Sequence, residues 1–357
     1  MAEISLCMIV KNEEKVLGRC LESARGLADE IVIVDTGSTD RTVEIARQYT
    51  SLVYEIPWRD DFAQARNFSF SKAGKDYCMW LDADDIFSEE NRKRFLELKR
   101  GMDGTEDVVM MKYAAGFDEA GNPAFTYYRE RILRNHAGFT WKGRVHEAIA
   151  PSGKVVYWDA VVFHRKEGGG EPGRNLRIYE KMRADGEELG PRELFYYGRE
   201  LLYNDRPEDG AAVLEQFLER EDGWVENKIE ACVNLALCLR KLGRREEELR
   251  ALFRSLEYGR PRAEVCCEVG RCFMEREDWE TAVFWYEQAL AAGRDDGLGG
   301  FVREECHGYL PHIQLCVCQD RLGNRKEAYR HHLETKKLRP GAPEVAYNEV
   351  YFQSLGK

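Results

Sequence analysis

The stretch Tyr77-Cys78-Met79-Trp80-Leu81-Asp82-Ala83-Asp84-Asp85 sets how the whole chain is to be read. Five apolar or aromatic residues run directly into three carboxylates. A short apolar run of this kind reads as a strand buried on both faces. Carboxylates cost too much to bury unpaired, so they belong where that strand leaves the core. In an open α/β sheet that carboxyl edge is where ligands bind. Asp82 and Asp84 lie two residues apart, so in extended chain they project to one side. A cation between them would relieve their repulsion, and oxygen ligands suit Mg²⁺ or Mn²⁺. Taken alone, Asp-x-Asp is a weak motif and reads as a solvated acidic turn, so the flanking sequence has to decide.

Outward from that strand, the first half alternates strands and helices. Ile4–Val10, Ile31–Val34 and Val53–Ile56 read as strands. A helix carrying Val16, Leu17, Cys20 and Leu21 follows the first. Asp35 ends the second strand, and Thr36-Gly37-Ser38-Thr39-Asp40 turns the chain, with Ser38 or Thr39 expected as N-cap of the next helix. Asp60-Asp61 is placed to cap a helix holding Phe62, Arg66, Asn67 and Phe70, and Ser88-Glu89-Glu90 opens another. This order predicts a parallel sheet with right-handed crossovers, placing Asp35 and Asp82 at its carboxyl edge. Lys11-Asn12-Glu13-Glu14 stands where a dinucleotide fold would carry its glycine fingerprint, which disfavours a dehydrogenase. Past residue 106 come further strands, Val108–Tyr113, Tyr128–Leu133 and Val155–Phe163, with His164 closing the last. Between them lies Gly138-Phe139-Thr140-Trp141-Lys142-Gly143-Arg144-Val145-His146-Glu147. Gly168-Gly169-Gly170 reads as a linker or a lid.

Composition narrows the class. A chain of 357 residues with ordinary apolar content favours two folded domains, here 1–190 and 191–357. A net charge of −11 argues against a nucleic-acid partner. Eleven cysteines without a Cys-x-x-Cys pair read as reduced, buried thiols of a cytoplasmic protein. The start of the sequence reads directly into a strand without a leader pattern, and no run is long enough to span a membrane.

The segments Ile31–Asp40, Ala65-Arg66-Asn67 and Leu81–Asp85 together resemble glycosyltransferase family 2, whose fold is the α/β GT-A domain with a Rossmann-like mixed sheet. The resemblance covers roughly the first half of the chain. It implies a nucleotide-sugar site at Asp35, Arg66, Asp82, Glu13 and Asp61, with Asp35 and Arg66 toward the base. It implies a divalent metal, Mn²⁺ or Mg²⁺, on Asp84 with His164 as late ligand and Asp82 near the ribose or metal. The family's glycine-bearing acceptor loop and x-Glu-Asp base motif align with Gly138–Gly143 and Val145-His146-Glu147. Here His and Glu stand where Glu and Asp are usual, so His146 and Glu147 are both candidates for the catalytic base.

From Arg192 onward the strand signal disappears. Leu235 to Gly259 and Gly270 to Gly293 repeat one pattern, and the terminal glycines lie 293 − 259 = 34 residues apart, the tetratricopeptide period. Further copies are Leu322–Tyr329, after a glycine-rich insertion at Gly293–Gly300, and a degenerate Tyr197–Phe217. Such repeats stack into an all-α solenoid with a peptide-binding surface. Tyr196, Tyr197, Trp224, Trp285 and Tyr286 are candidates for that surface. His136, His307, His312, His331 and His332 read as surface or capping residues. The two-part layout resembles the bacterial S-glycosyltransferases of glycocin biosynthesis. It implies metal-dependent, inverting transfer of a hexose, from a nucleotide sugar such as a UDP-sugar, to a peptide or protein held by the repeats. A cell-envelope glycan acceptor, with the repeats used for assembly such as a homodimer, is the alternative. A decayed, non-catalytic scaffold is the third class, and intact Asp35, Arg66, Asp82, Asp84 and Glu147 argue against it.

Overall fold

The computed structural model describes residues 2–117, 121–167, 171–293 and 300–355. The triple glycine at 168–170 and most of the 293–300 insertion lie outside the described residues. The chain divides into two compact units, Met1–Leu189 and Gly190–Lys357.

The first unit contains β1 (Ile4–Val10), α1 (Leu17–Ser23), β2 (Glu30–Asp35), α2 (Thr42–Ala46), β3 (Val53–Glu55), α3 (Phe62–Phe70), β4 (Tyr77–Trp80), β5 (Asp85–Ile86) and α4 (Glu89–Arg100). It continues with β6 (Val108–Phe117), β7 (Pro123–Arg134), β8 (Val155–His164) and α5 (Arg174–Ala184). Its strands run in the order β3-β2-β1-β4-β7-β6-β8-β5. The β1–β2, β1–β4 and β2–β3 pairs are parallel, as the crossover helices require. Beyond β4 the sheet turns mixed: β7 is antiparallel to β4 and β6, and β8 runs parallel to β6 and antiparallel to β5. This is the mixed α/β sheet of a GT-A-like domain. Ile4, Leu6, Met8, Ile33, Tyr77 and Met79 form its core with the faces of α1 and α4.

Local chemistry sets the helix starts. Asp61 caps α3 by accepting from Gln64 N at 2.8 Å, and Ser88 caps α4 by accepting from Asn91 N at 3.2 Å. The expected Ser38 or Thr39 cap fails. The helix α2 begins at Thr42 with Arg41 at the N-cap and no side-chain cap bond. Ser38 Oγ is already engaged, donating to Asp35 and accepting from Asn12 N. Strands β6 and β7 are longer than their hydrophobic cores suggested, because the ladder continues outward through two register shifts beyond Tyr113.

The second unit is helical: α6 (Pro191–Tyr203), α7 (Pro207–Leu218), α8 (Val225–Lys241), α9 (Arg245–Arg254), α10 (Ala263–Glu275), α11 (Trp279–Ala291), α12 (Tyr309–Arg321), α13 (Arg325–Leu338) and α14 (Pro343–Ser354). Helices adjacent in sequence pack against each other, the nearest-neighbour arrangement of a tetratricopeptide-like array. Small residues let the pairs approach. A Cβ on Gly270 would lie 2.9 Å from the Tyr286 ring, and one on Gly198 would lie 2.7 Å from Leu214. Ala282 and Tyr286 belong to one buried cluster with Cys266, Cys267, Leu315 and Cys318. Tyr197 and Tyr286 are therefore core rather than surface aromatics, whereas Trp224 is exposed. His331 and His332 are likewise buried, contrary to their reading as surface residues. His332 Nε2 lies 3.1 Å from Glu349 on α14, and His331 Nδ1 lies 2.9 Å from His312 Nδ1 on α12. Their helix faces point between repeats, which a single-helix reading could not resolve.

Gly270→Ala should lower the stability of the chain by about 1–3 kcal/mol, because the added methyl overpacks the Tyr286 ring in a filled core. Thermal melts followed by far-ultraviolet circular dichroism check this; an unchanged midpoint would show that the crossing has slack.

Candidate active site

Strand β4 ends at Trp80, and the acidic run is a tight turn rather than extended chain. Asp85 N donates to Asp82 O at 3.0 Å, and Asp82 N donates to the Asp85 carboxylate at 3.0 Å. The expectation that Asp82 and Asp84 share one side of a strand therefore fails. The turn gives each of the three carboxylates its own cationic partner. Asp82 Oδ1 accepts from Arg66 Nη2 on α3 at 2.6 Å. Asp84 Oδ1 lies 3.2 Å from His164 Nδ1 at the end of β8. Asp85 pairs with Arg131 Nη1 on β7 at 3.1 Å, both side chains being wholly buried.

Asp85 is the residue whose place sequence reasoning missed. Its oxygens also accept from Tyr113 OH at 2.8 Å and lie 3.3 Å from His164 Nδ1. Register pairs Asp85 with His164 across β5 and β8. Asp85 thus locks both the turn and the imidazole. The alternation of β7, which sends Arg131 inward, was the available signal, but an arginine inside a strand does not announce a buried partner.

Arg66 joins the acidic turn to the loop after β7. Its Nε donates to Glu147 Oε1 at 2.6 Å while Nη2 holds Asp82. The guanidinium carbon lies 4.7 Å from the centroid of Trp80 and 5.0 Å from that of Trp141, so aromatic faces support the buried charge. Nη1 is buried with no hydrogen-bond partner among the described residues. Its neighbour Asn67 fastens the same loop, donating to Trp141 O at 3.0 Å and accepting from Trp141 N at 2.8 Å. A Lys142–Ala148 bridge closes the loop, and Tyr179 OH on α5 donates to Val145 O at 3.3 Å. His146 sits in this loop at a left-handed φ of 52°.

These groups line one cleft of about 810 Å³ within the first unit. Glu13, Arg66, Asp82, Asp84, His146, Glu147 and His164 all face it. Asp35 and Asp61 are absent from its lining. Asp35 is buried, with its carboxylate accepting from Gly37 N and Ser38 N, both at 2.9 Å. Thr36 and Asp60, one residue along from each, line the cleft instead. Lys11, Lys166, Arg174 and Arg177 add positive charge to its wall. The two arginines come from α5, which the sequence reading left without a role.

The electrostatics follow from the pairing. Burial opposes ionisation of Asp82, but the Arg66 guanidinium wins and holds its carboxyl at about 2. For His164, burial lowers proton affinity, yet the Asp84 and Asp85 carboxylates outweigh it and raise the imidazole to about 10. Burial, reinforced by Asp84 and Asp82, pushes Glu13 up to about 7. Asp84, Asp85 and His164 offer ligand atoms within 4.8 Å of one another. The oxygens of Asp85 are already committed to Arg131, Tyr113 and Asp82 N, so Asp84 and His164 are the pair with atoms left for an ion. A hard cation with few protein ligands, completing its shell with phosphate and water, fits that donor set.

Residues 5–151 match the glycosyl transferase family 2 profile, and residues 268–298 match a tetratricopeptide repeat. The chain is 31% identical over 204 residues to the lipopolysaccharide core biosynthesis glycosyltransferase LpsC of Rhizobium meliloti, covering 54% of this chain and 75% of that protein. The chain belongs to glycosyltransferase family 2. It is 28% identical over 228 residues to the SPbeta prophage-derived glycosyltransferase SunS of Bacillus subtilis, covering 60% of this chain and 52% of that one. It is also 28% identical over 245 residues to a TPR repeat-containing protein of Synechococcus elongatus, covering 63% of this chain and 56% of that one. The chain thus spans about half the length of these two relatives. Family 2 membership agrees with the resemblance drawn from the Asp35, Arg66 and Asp82–Asp85 segments.

Neighbouring carboxylates should behave differently on truncation. Asp85→Ala leaves Arg131 buried and unpaired and should cost about 3–5 kcal/mol. Asp84→Ala, at the cleft wall, should leave the melting midpoint nearly unchanged. Equal losses in urea titrations of the two variants would contradict the division of labour between them.

Proposed function

We propose that the first unit transfers a hexose from a nucleoside diphosphate sugar to a peptide or protein acceptor, by a single inverting displacement that requires a divalent cation. The observation that carries this reading is the convergence of Asp82, Asp84, His164 and Glu147 on one cleft, organised by Arg66. A cleft of about 810 Å³ lies in the range of pockets that enclose such ligands. UDP is the first nucleotide to test. The helical repeats and the layout's resemblance to the S-glycosyltransferases of glycocin biosynthesis support a peptide or protein acceptor.

In this mechanism Asp84 and His164 would hold Mn²⁺ or Mg²⁺. The ion, when bound, would neutralise charge developing on the departing diphosphate. Lys11, Lys166, Arg174 and Arg177 supply further positive charge to the same end. Asp82 and Glu13, which line the cleft, would contact the sugar nucleotide, with Asp82 oriented by Arg66. Glu147 takes the proton from the acceptor nucleophile as it attacks the anomeric carbon. Arg66 engages Oε1 of Glu147, so Oε2 is the proton-accepting atom. His146, on the same loop, contacts the acceptor.

A second reading, in which the acceptor is a cell-envelope glycan and the repeats serve assembly, is favoured by the match to LpsC over three quarters of that protein's length. Acceptor panels of peptides and of lipid-linked or free glycans separate the two.

Glu147→Gln preserves shape but not basicity, so transfer should fall by roughly 10²–10⁴ while the sugar nucleotide still binds. Turnover assays paired with calorimetric titration of the donor check this. If His146→Ala is the crippling change and Glu147→Gln is mild, the base is His146. Removing divalent ions with a chelator should abolish transfer; full activity in chelator would overturn the metal's role.

A further inference from the structure

Two helices of the repeat unit carry a paired acidic pattern at the same positions. Glu226 and Glu230 sit four residues apart on α8, and Glu264 and Glu268 sit four apart on α10. Like charges at this spacing repel along a helix face. Glu226 and Glu264 are nevertheless buried. Within the array Arg262 pairs with Glu226 at 2.6 Å and Arg271 with Glu268 at 2.9 Å.

Residues 300–307 add further cationic groups and a backbone donor. Arg303 Nη2 lies 3.6 Å from Glu230 on α8, and Nη1 lies 3.9 Å from Glu268 on α10. The backbone N of Arg303 donates to Glu264 Oε1 at 2.9 Å, and His307 Nε2 lies 3.5 Å from the same oxygen. Two residues before Arg303, the Phe301 ring stacks under Arg199 of α6 at 4.8 Å. At Gly300 the backbone passes so close to α8 that a Cβ would lie 2.6 Å from Glu226 Oε2. One stretch of chain therefore reaches three alternate helices of the array, α6, α8 and α10. It makes an aromatic contact on the first and a cationic one between the other two. Segments of this kind, read by side chains on successive repeats, are how helical arrays hold peptides.

We propose that residues 300–303, which lead into the 3₁₀ turn Glu304–His307 with its buried Cys306, are an internal ligand of this groove. The groove selects an extended peptide bearing an aromatic residue two positions before an arginine. This inference rests on the peptide-acceptor reading above and names the acceptor's chemistry. An incoming peptide must displace the internal segment, which competes at the high effective concentration of a tethered ligand.

The probe is a synthetic peptide with the sequence of residues 300–307, carrying serine in place of Cys306 and a fluorescent label. Anisotropy is read with the full chain and with a full-length variant whose groove is vacated by Phe301→Ser and Arg303→Ser. The vacated chain should bind the peptide at least about tenfold more tightly than the wild type. The peptide with glutamate in place of its arginine should bind neither, and added salt should weaken binding because the contact is ionic. A vacated chain that keeps its helical circular dichroism yet binds no better than the wild type overturns the proposal. Hydrogen exchange on the wild type covers the case in which the variant misfolds. Saturating peptide should raise exchange across residues 301–303, and unchanged exchange there likewise overturns it. No sugar nucleotide is present, so failure here leaves the transferase reading standing, and a chain inactive in transfer can still pass this test.

Discussion

Three carboxylates within four residues, at the end of a fully buried strand, are the constraint on which the first unit depends. None can enter the core without a counter-charge. Each draws its partner from a different element: Arg66 from α3, His164 from β8 and Arg131 from β7. Meeting that demand pulls a helix and two strands onto one turn. Trp80, the last residue of β4, lies beneath the guanidinium groups of Arg66, Arg129 and Arg131, at 4.7, 4.7 and 3.8 Å. The indole thus spreads over cations that would otherwise face one another.

The same pairing divides the work of the acidic turn. Asp85 is enclosed and fixes geometry. Asp82 is held by Arg66. Asp84 and His164 keep atoms toward the cleft. Arg66 and Asn67, adjacent on α3, then fasten the loop carrying His146 and Glu147, one through a carboxylate and one through the Trp141 backbone. A short helix motif positions both the acidic turn and the loop carrying His146 and Glu147. That coupling makes the cleft a single device rather than two neighbouring sites.

Much of this was legible in the sequence, and the gaps have physical causes. The strand-then-helix alternation, the Asp60-Asp61 cap, the helix start at Ser88-Glu89-Glu90 and the tetratricopeptide period rest on local pattern, and each appears in the structure. The extended reading of Asp82 and Asp84 failed because a turn closed by one backbone hydrogen bond and one to the Asp85 carboxylate cannot be told from strand continuation by residue type. The Ser38 cap failed because the hydroxyl already accepts from Asn12 N, a long-range choice hidden from a local rule. Asp85, Arg131 and the cationic face of α5 depend on pairing between distant segments. So does the burial of His331 and His332, which is decided by the packing of α12, α13 and α14.

The measurement that bears most directly on this account is electron spin-echo spectroscopy of Mn²⁺ bound to the full chain with a nucleoside diphosphate, using protein labelled with ¹⁵N-histidine. The arrangement of Asp84 and His164 predicts coupling from one histidine nitrogen, lost in His164→Ala and retained in Asp85→Asn if that variant folds. Bound manganese with no histidine coupling, or coupling that survives His164→Ala, would contradict it.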